Sequence, residues 1–316
     1  MTAAAKEVAQ PIDADEVVAE PFLKWAGSKR GLVDVLETML PERFEAYHEP
    51  CMGGAALFFH LAGKRRLRKG YVSLSDTCAP LVATFRAIKN EPARVLQLLD
   101  EMPINERHFM RIRSISAEER AALSDPELAA WFLYLNKTGY NGMYRVNKKD
   151  VFNVPWGVTK EVQEAARLAG KRAPLPPSVS RTKRIADPAL IHACSSVLRG
   201  LNASATVRPF EDVLHYARKG DLVYIDPPYL PTSATADFTS YTPEGFGLKD
   251  HIRLRDVAVE LKGKGVHVMI SNSDVPLIRE LYESRPAAFR IEVVYARRSV
   301  NSDAKGRGKV RELVIR

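Results

Sequence analysis

Apolar residues recur at Leu32, Val33, Leu36, Met39 and Leu40, a helical spacing that ends at Pro41. Tyr47, His48 and Glu49 read as a short extended segment, because Pro50 keeps the residue before it out of the helical region. Gly53 and Gly54 open an apolar helix from Ala55 to Leu61. Tyr71 to Leu74 alternates as a strand ending near Asp76, and Leu81 to Ile88 returns to helical spacing. Strand, glycine turn, helix, strand and acid is the outline of a βαβ nucleotide-binding unit.

Beyond residue 90 the rhythm changes. Val95–Leu99, Phe109–Ile115 and Leu128–Leu135 read as short amphipathic helices with no strand between them. Residues 139–157 then alternate aromatic and polar side chains around Asn147–Lys148–Lys149–Asp150, which predicts a hairpin with a basic tip. Residues 170–180, rich in proline and serine, read as a linker. Afterwards the α/β alternation resumes. Helices are predicted near 189–198, 211–218, 248–261 and 275–282, and strands near 205–207, 222–225, 266–270, 291–295 and 312–315. The chain thus divides into a 1–20 tail, an α/β domain of 21–90 plus 185–316, and an inserted region of 91–184.

Composition is that of an ordinary soluble protein, with 46% hydrophobic and 27% charged residues. No apolar stretch approaches the ~18 residues that span a bilayer. Cys51, Cys78 and Cys194 are scattered, without ligand spacing, so neither a disulfide scaffold nor a zinc site is expected and a reducing cytoplasm is the default. Charge adds more. Of the net +9, residues 136–184 carry +8, from eleven Lys/Arg against three acids. The last stretch, 297–316, has seven bases against two acids. A localised basic region points to a polyanion, nucleic acid first, although a solvated face would look the same.

Asp226-Pro227-Pro228-Tyr229 directly follows the apolar strand 222–225. In open parallel sheets ligands bind beyond the carboxyl ends of strands. Two prolines fix φ and leave carbonyls without N–H donors. The Asp226 carboxylate and the Pro227 carbonyl make two acceptors, which suits an exocyclic amine with two hydrogens to give. Tyr229 offers a face for a planar base. Trp25 in KWAGSK offers a second aromatic face, and Lys29 can reach a carboxylate. Glu49, Gly53 and Asp76 lie in and after the glycine turn, Asp76 at the spacing of an acid on a ribose hydroxyl. No phosphate-binding Lys-Ser/Thr is present, so the turn is not a P-loop. Tyr140, Asn141, Arg145, Asn147, Asn153 and Pro155 interleave polar groups with aromatics as a nucleic-acid surface does.

Taken together, the chain resembles the Dam-type DNA adenine methyltransferases. The segments KWAGSK, EPCMGGA, LSD, YLNKTGYNGMYRVN…FNVPWG and VYIDPPYLPTSATADFTSYTPEGF stand in that family's order, and SNSD and ARRSVNS match further segments. The resemblance implies a Rossmann-like methyltransferase sheet with an inserted helical and β-hairpin recognition domain. It implies S-adenosylmethionine as cofactor, no metal, and adenine in double-stranded DNA as target, flipped out of the stack. Trp25, Lys29, Glu49, Gly53, Asp76, Asp226 and, more weakly, Phe210 are implied to line the cofactor pocket. Asp226, Pro227 and Tyr229 are implied to serve catalysis. Lys24, Tyr140, Asn141, Arg145, Asn147, Asn153 and Pro155 are implied to meet DNA. A cytoplasmic protein, monomeric in solution, is expected, with or without a restriction partner.

Departures narrow what can be carried over. Cys51 replaces an aromatic residue of the glycine turn, Ala55 its second glycine, and Ser28 a glycine of the KWAGGK pattern. Val158 stands where readers of GATC carry a basic residue, so GATC does not simply carry over; the expected target is GATC or a related short site, with Lys160 the nearest substitute. Two alternatives remain at this point. One is a methyltransferase acting on another planar amine, in cytosine, RNA or a protein glutamine. The other is a non-catalytic DNA-binding protein with a decayed cofactor site.

Overall fold

The computed structural model describes residues 17–171, 174–180, 182–230, 245–297 and 309–316. Most of the predicted tail, two linker residues, the segment from Pro231 to Glu244 and most of ARRSVNS lie outside the described residues. The strands are β1 (Tyr47–Pro50), β2 (Val72–Asp76), β3 (Ser204–Val207), β4 (Leu222–Ile225), β5 (His267–Ser273), β6 (Ile291–Arg297) and β7 (Lys309–Ile315). The first helices are α1 (Val33–Thr38), α2 (Ala56–Gly63), α3 (Ala79–Asn90) and α4 (Pro92–Asp100). Next come α5 (Glu106–Arg113), α6 (Ala117–Ala121), α7 (Asp125–Thr138), α8 (Lys160–Leu168) and α9 (Pro177–Ser180). The last are α10 (Pro188–Gly200), α11 (Val213–Tyr216), α12 (Leu248–Gly263) and α13 (Pro276–Glu283).

One seven-stranded sheet has the order β3-β2-β1-β4-β5-β7-β6. β1 to β5 run parallel, and β7 pairs antiparallel with both β5 and β6. Strand β4, with all four residues buried, is the apolar run of a strand covered on both faces. The order reverses between β1 and β4, which makes their carboxyl ends the topological switch point where such sheets bind ligands.

Each face carries a core. On one, Phe58, Leu81 and Phe85 pack in a cluster that continues through Trp131, Tyr144 and Phe152 of the insertion. On the other, Val223, Ile225, Leu254, Ile278 and Tyr282 pack together. The insertion therefore shares a core with the sheet rather than hanging from it. Its centre is α7, opened by a Ser124/Glu127 capping box and buried on nearly every side. Each fully buried apolar side chain at this junction contributes about 1.5–3 kcal/mol.

Three expectations need correction. The hairpin of 139–157 forms only two isolated antiparallel bridges, Gly139 to Trp156 and Val146 to Phe152, not a continuous ladder. The linker is packed: α9 buries Val179 completely, and Ser178 donates to the Lys137 carbonyl. Among the described residues of that stretch, proline and serine shape a tight turn against the body. The helix over 211–218 is a 3-10 turn at Phe210–Asp212 followed by one α-turn, α11. Helix α8 has no counterpart among the predicted elements. It buries none of its residues, and its apolar positions, Val162 and Leu168, stay exposed.

Candidate active site

The switch point gathers the motifs. Glu49 ends β1, Asp76 ends β2, Phe210 follows β3, and Asp226 follows β4. The Cys51 thiol lies within the electrostatic reach of Asp76, Asp226, Glu211 and Glu49, which places these acids around one loop. Burial and the charge of these acids both push the thiol well above its ordinary range.

Around Asp226 the structure builds a compact ion network. Lys29, from the 3-10 turn Lys29–Gly31, places Nζ 2.9 Å from Asp226 Oδ1 and 3.8 Å from Glu312 of β7. The same ammonium lies 4.6 Å from the centroid of the Tyr229 ring. The Tyr229 hydroxyl donates to Glu312 Oε2 at 2.8 Å. Burial raises the Asp226 carboxyl to about 6, and the Lys29 ammonium limits the rise. Asp226 Oδ1 is shielded from solvent and has the Lys29 ammonium as its partner. Glu312 is the site residue that sequence reasoning missed. Its one signal is an acid inside the apolar run Val310–Ile315, which reads equally well as an edge facing water.

The glycine turn lies beside this network. Gly53 donates its N–H to Asp76 Oδ2 at 3.1 Å, and Cys78 donates to Asp76 Oδ1 at 2.9 Å. Gly53 has φ +48°, and a Cβ there would lie 2.7 Å from Trp25 Cδ1. The Trp25 indole is thus seated on the turn, with Tyr144 stacked 6.1 Å away and Phe132 at 6.2 Å. Ala55 takes φ 50°, the left-handed conformation that glycine would favour, so the backbone of the turn is kept despite the substitution. Glu49 is buried, accepts the Tyr47 hydroxyl at 2.7 Å, and is raised by burial to about 8. Phe210 is buried beside Phe246, their centroids 6.0 Å apart, on the far side of the switch point.

The hairpin follows a two-residue period. Tyr144, Val146, Phe152, Val154 and Trp156 are buried. Asn147 and Pro155 are exposed, and Arg145 and Asn153 are half-buried between them. Arg145 Nε donates to Asn153 Oδ1 at 2.8 Å. Asn147 Oδ1 accepts the N–H groups of Lys149 and Val151 and closes the tip. Asn141 is exposed and held at φ 54°, and Tyr140 is half-buried. The Lys24 backbone is clamped by buried Asn136, which accepts from its N–H at 3.1 Å and donates to its carbonyl at 2.7 Å. Val158 is buried in the shared core and presents no side chain on the outward face.

Comparison with known proteins decides the class. Residues 25–300 match the family model of D12 class N6 adenine-specific DNA methyltransferases. The chain belongs to that family. It is 34% identical over 304 residues to the type II methyltransferase M1.LlaDCHI of Lactococcus lactis subsp. cremoris, covering 95% of this chain and 96% of that one. It is 32% identical to M.MjaIII of Methanocaldococcus jannaschii, with 94% and 98% covered. The DNA adenine methylase of Escherichia coli K12 is also 32% identical, with 93% of each chain covered.

This methyltransferase is S-adenosylmethionine-dependent, and the residues at the switch point fit that cofactor. A buried carboxyl near the end of β1, Glu49, and a half-buried one ending β2, Asp76, give the chemistry that a cofactor with net positive charge and ribose hydroxyls requires. Gly53, without a side chain, lets the turn close directly against the Trp25 indole, a flat aromatic face beside these acids. Among the described residues, no cluster of His, Cys, Asp or Glu could hold a metal, and no helix is long and apolar enough to cross a membrane.

Proposed function

We propose that the methyltransferase flips its target adenine out of duplex DNA and methylates it at the end of β4. Asp226 and the Pro227 carbonyl accept the two hydrogens of the exocyclic amine. This draws the nitrogen lone pair out of conjugation and aims it along one line. Tyr229 stacks on the extruded ring, repaying part of the few kcal/mol that unstacking costs. Lys29 keeps Asp226 ionised. When bound, S-adenosylmethionine supplies a methyl group already activated by its sulfonium. Trp25, Lys29, Glu49, Gly53, Asp76 and Phe210 line its pocket, with Glu49 facing the cationic part and Asp76 the ribose.

The outward hairpin face, Arg145, Asn147, Asn153 and Pro155, meets the DNA with Tyr140, Asn141 and Lys24. The basic insertion of 91–184 binds DNA while the α/β body of 21–90 and 185–316 carries out transfer. Buried Val158 leaves the base-reading task to neighbours such as exposed Lys160, so the site read can differ from GATC while staying a related short site. On this reading the enzyme works as a monomer on duplex DNA in the cytoplasm, where its three cysteines stay free thiols.

The observation that carries the reading is the half-buried Asp226 carboxylate, held by Lys29 beside the Tyr229 ring at the switch point. The test uses duplex DNA in which 2-aminopurine replaces the target adenine, located first by base-resolution sequencing of methylated DNA. Binding should raise the 2-aminopurine fluorescence, and Tyr229→Ala should diminish the rise. Tight specific binding with no change in fluorescence would rule out base flipping at this site.

A further inference from the structure

Glu312 lies far along the chain from the motifs and reaches the site only because β7 runs antiparallel to β5, with Glu312 opposite Ser273. Its side chain is 16% exposed and that of Lys29 4%. A carboxylate this buried is costly unless paired, and among the described residues it shares the Lys29 ammonium with Asp226. It also holds the hydroxyl of Tyr229 at 2.8 Å.

We propose that Glu312 is a positioning residue for methyl transfer, anchoring the Tyr229 ring by its hydroxyl and drawing Lys29 partly away from Asp226. The assignment rests on the roles proposed above for Asp226 and Tyr229. A lysine paired with Asp226 alone would fill its acceptor sites and weaken it as a partner for the amine. A second carboxylate on the same ammonium leaves Asp226 a stronger acceptor. It also fixes the plane against which the flipped base stacks, because Tyr229 is held at both its ring face and its hydroxyl.

The charged and titratable groups facing Asp226 are Lys29, Glu312, Tyr229, Tyr224, Glu49 and Cys51. Among them, Glu312 is the neighbouring carboxylate whose charge raises Asp226, while Lys29 lowers it.

The test compares pH–rate profiles and KM for DNA in wild type, Glu312→Gln and Tyr229→Phe. Gln is isosteric and still accepts from Tyr229, but carries no charge. The two carboxylates lie within about 7 Å of each other through Lys29. Removing one should shift the acidic limb of kcat down by roughly half to one pH unit. It should also lower the plateau several-fold and leave KM for DNA near the wild-type value. Tyr229→Phe keeps both charges and loses the anchor. It should raise KM for DNA roughly tenfold, the equivalent of one lost hydrogen bond, and move the limb, if at all, upward and so opposite to Glu312→Gln, because the Tyr229 hydroxyl lowers Asp226. An acidic limb of Glu312→Gln that coincides with wild type would overturn the electrostatic half, and an unchanged KM in Tyr229→Phe the anchoring half. Asp226→Ala separates these failures from failure of the underlying reading, since its retained turnover would remove the reading itself.

Discussion

Gly53 is where the cofactor turn and the KWAGSK segment touch, and Gly53→Ala probes that meeting point. A Cβ there would lie 2.7 Å from Trp25 Cδ1 and 2.8 Å from its Nε1. Carbon atoms in contact sit about 3.5–4.0 Å apart. The indole has little room to yield, with Phe132 and Tyr144 packed against it at 6.2 and 6.1 Å between centroids. Overpacking of this kind costs about 1–3 kcal/mol. A non-glycine residue in the left-handed region adds about 1–2 kcal/mol. The sum is about 2–5 kcal/mol, divided between global stability and a displaced turn. Displacement would appear as weaker S-adenosylmethionine binding, up to roughly thirty-fold for about 2 kcal/mol. Urea unfolding and titration calorimetry on the same preparation measure the two parts. If neither moves by more than about 0.5 kcal/mol, the turn tolerates a side chain and the seat assigned to Trp25 is wrong.

The neighbouring Ala55→Gly relieves a left-handed alanine but removes a buried methyl and loosens the unfolded chain, so unfolding should show a net change within about 1 kcal/mol. In the proposed role Asp226 accepts most strongly when ionised, and its folded value of about 6 lies above the ordinary carboxyl range. The rate should therefore fall as pH drops through about 6, and stability should move the other way, its burial being easier for the neutral acid at low pH. Glu49, raised to about 8, is largely protonated near neutrality. Binding a cationic cofactor beside it should release protons, seen as calorimetric heats near neutral pH that vary with buffer ionisation. Lys148→Ala with Lys149→Ala should flatten the slope of log K against log salt by about 0.9 for each phosphate no longer neutralised, and an unchanged slope would take the hairpin tip off the DNA. Arg145→Ala should relax base preference by about 1–3 kcal/mol in competition binding with altered sites.

Much of the fold and site is legible in the sequence, for definite reasons. Strand β4 and the DPPY segment are visible because a fully apolar strand followed by acid and prolines leaves little choice of geometry. The hairpin's inward and outward residues are visible because alternation is a period-2 signal that burial enforces. Glu312 is hidden. An acid in an alternating strand looks solvent-facing until the antiparallel return of β7 brings it against Tyr229. Asn136 is hidden in an apolar helix, and its role in clamping Lys24 emerges only when two distant segments meet. The linker is misread from sequence because proline and serine report backbone shape, while the burial of Val179 depends on packing that composition does not encode.

Most is at stake in the role proposed for Asp226, whose carboxylate would hold the amine during transfer and contribute only a minor part of the hold on the cofactor. Wild type and Asp226→Ala should be compared for S-adenosylmethionine affinity and for label incorporated into N6-methyladenine on duplex DNA. Cofactor binding should stay within a few-fold of wild type, with no detectable N6-methyladenine. Substantial methylation by Asp226→Ala would show that the amine is held by some other group.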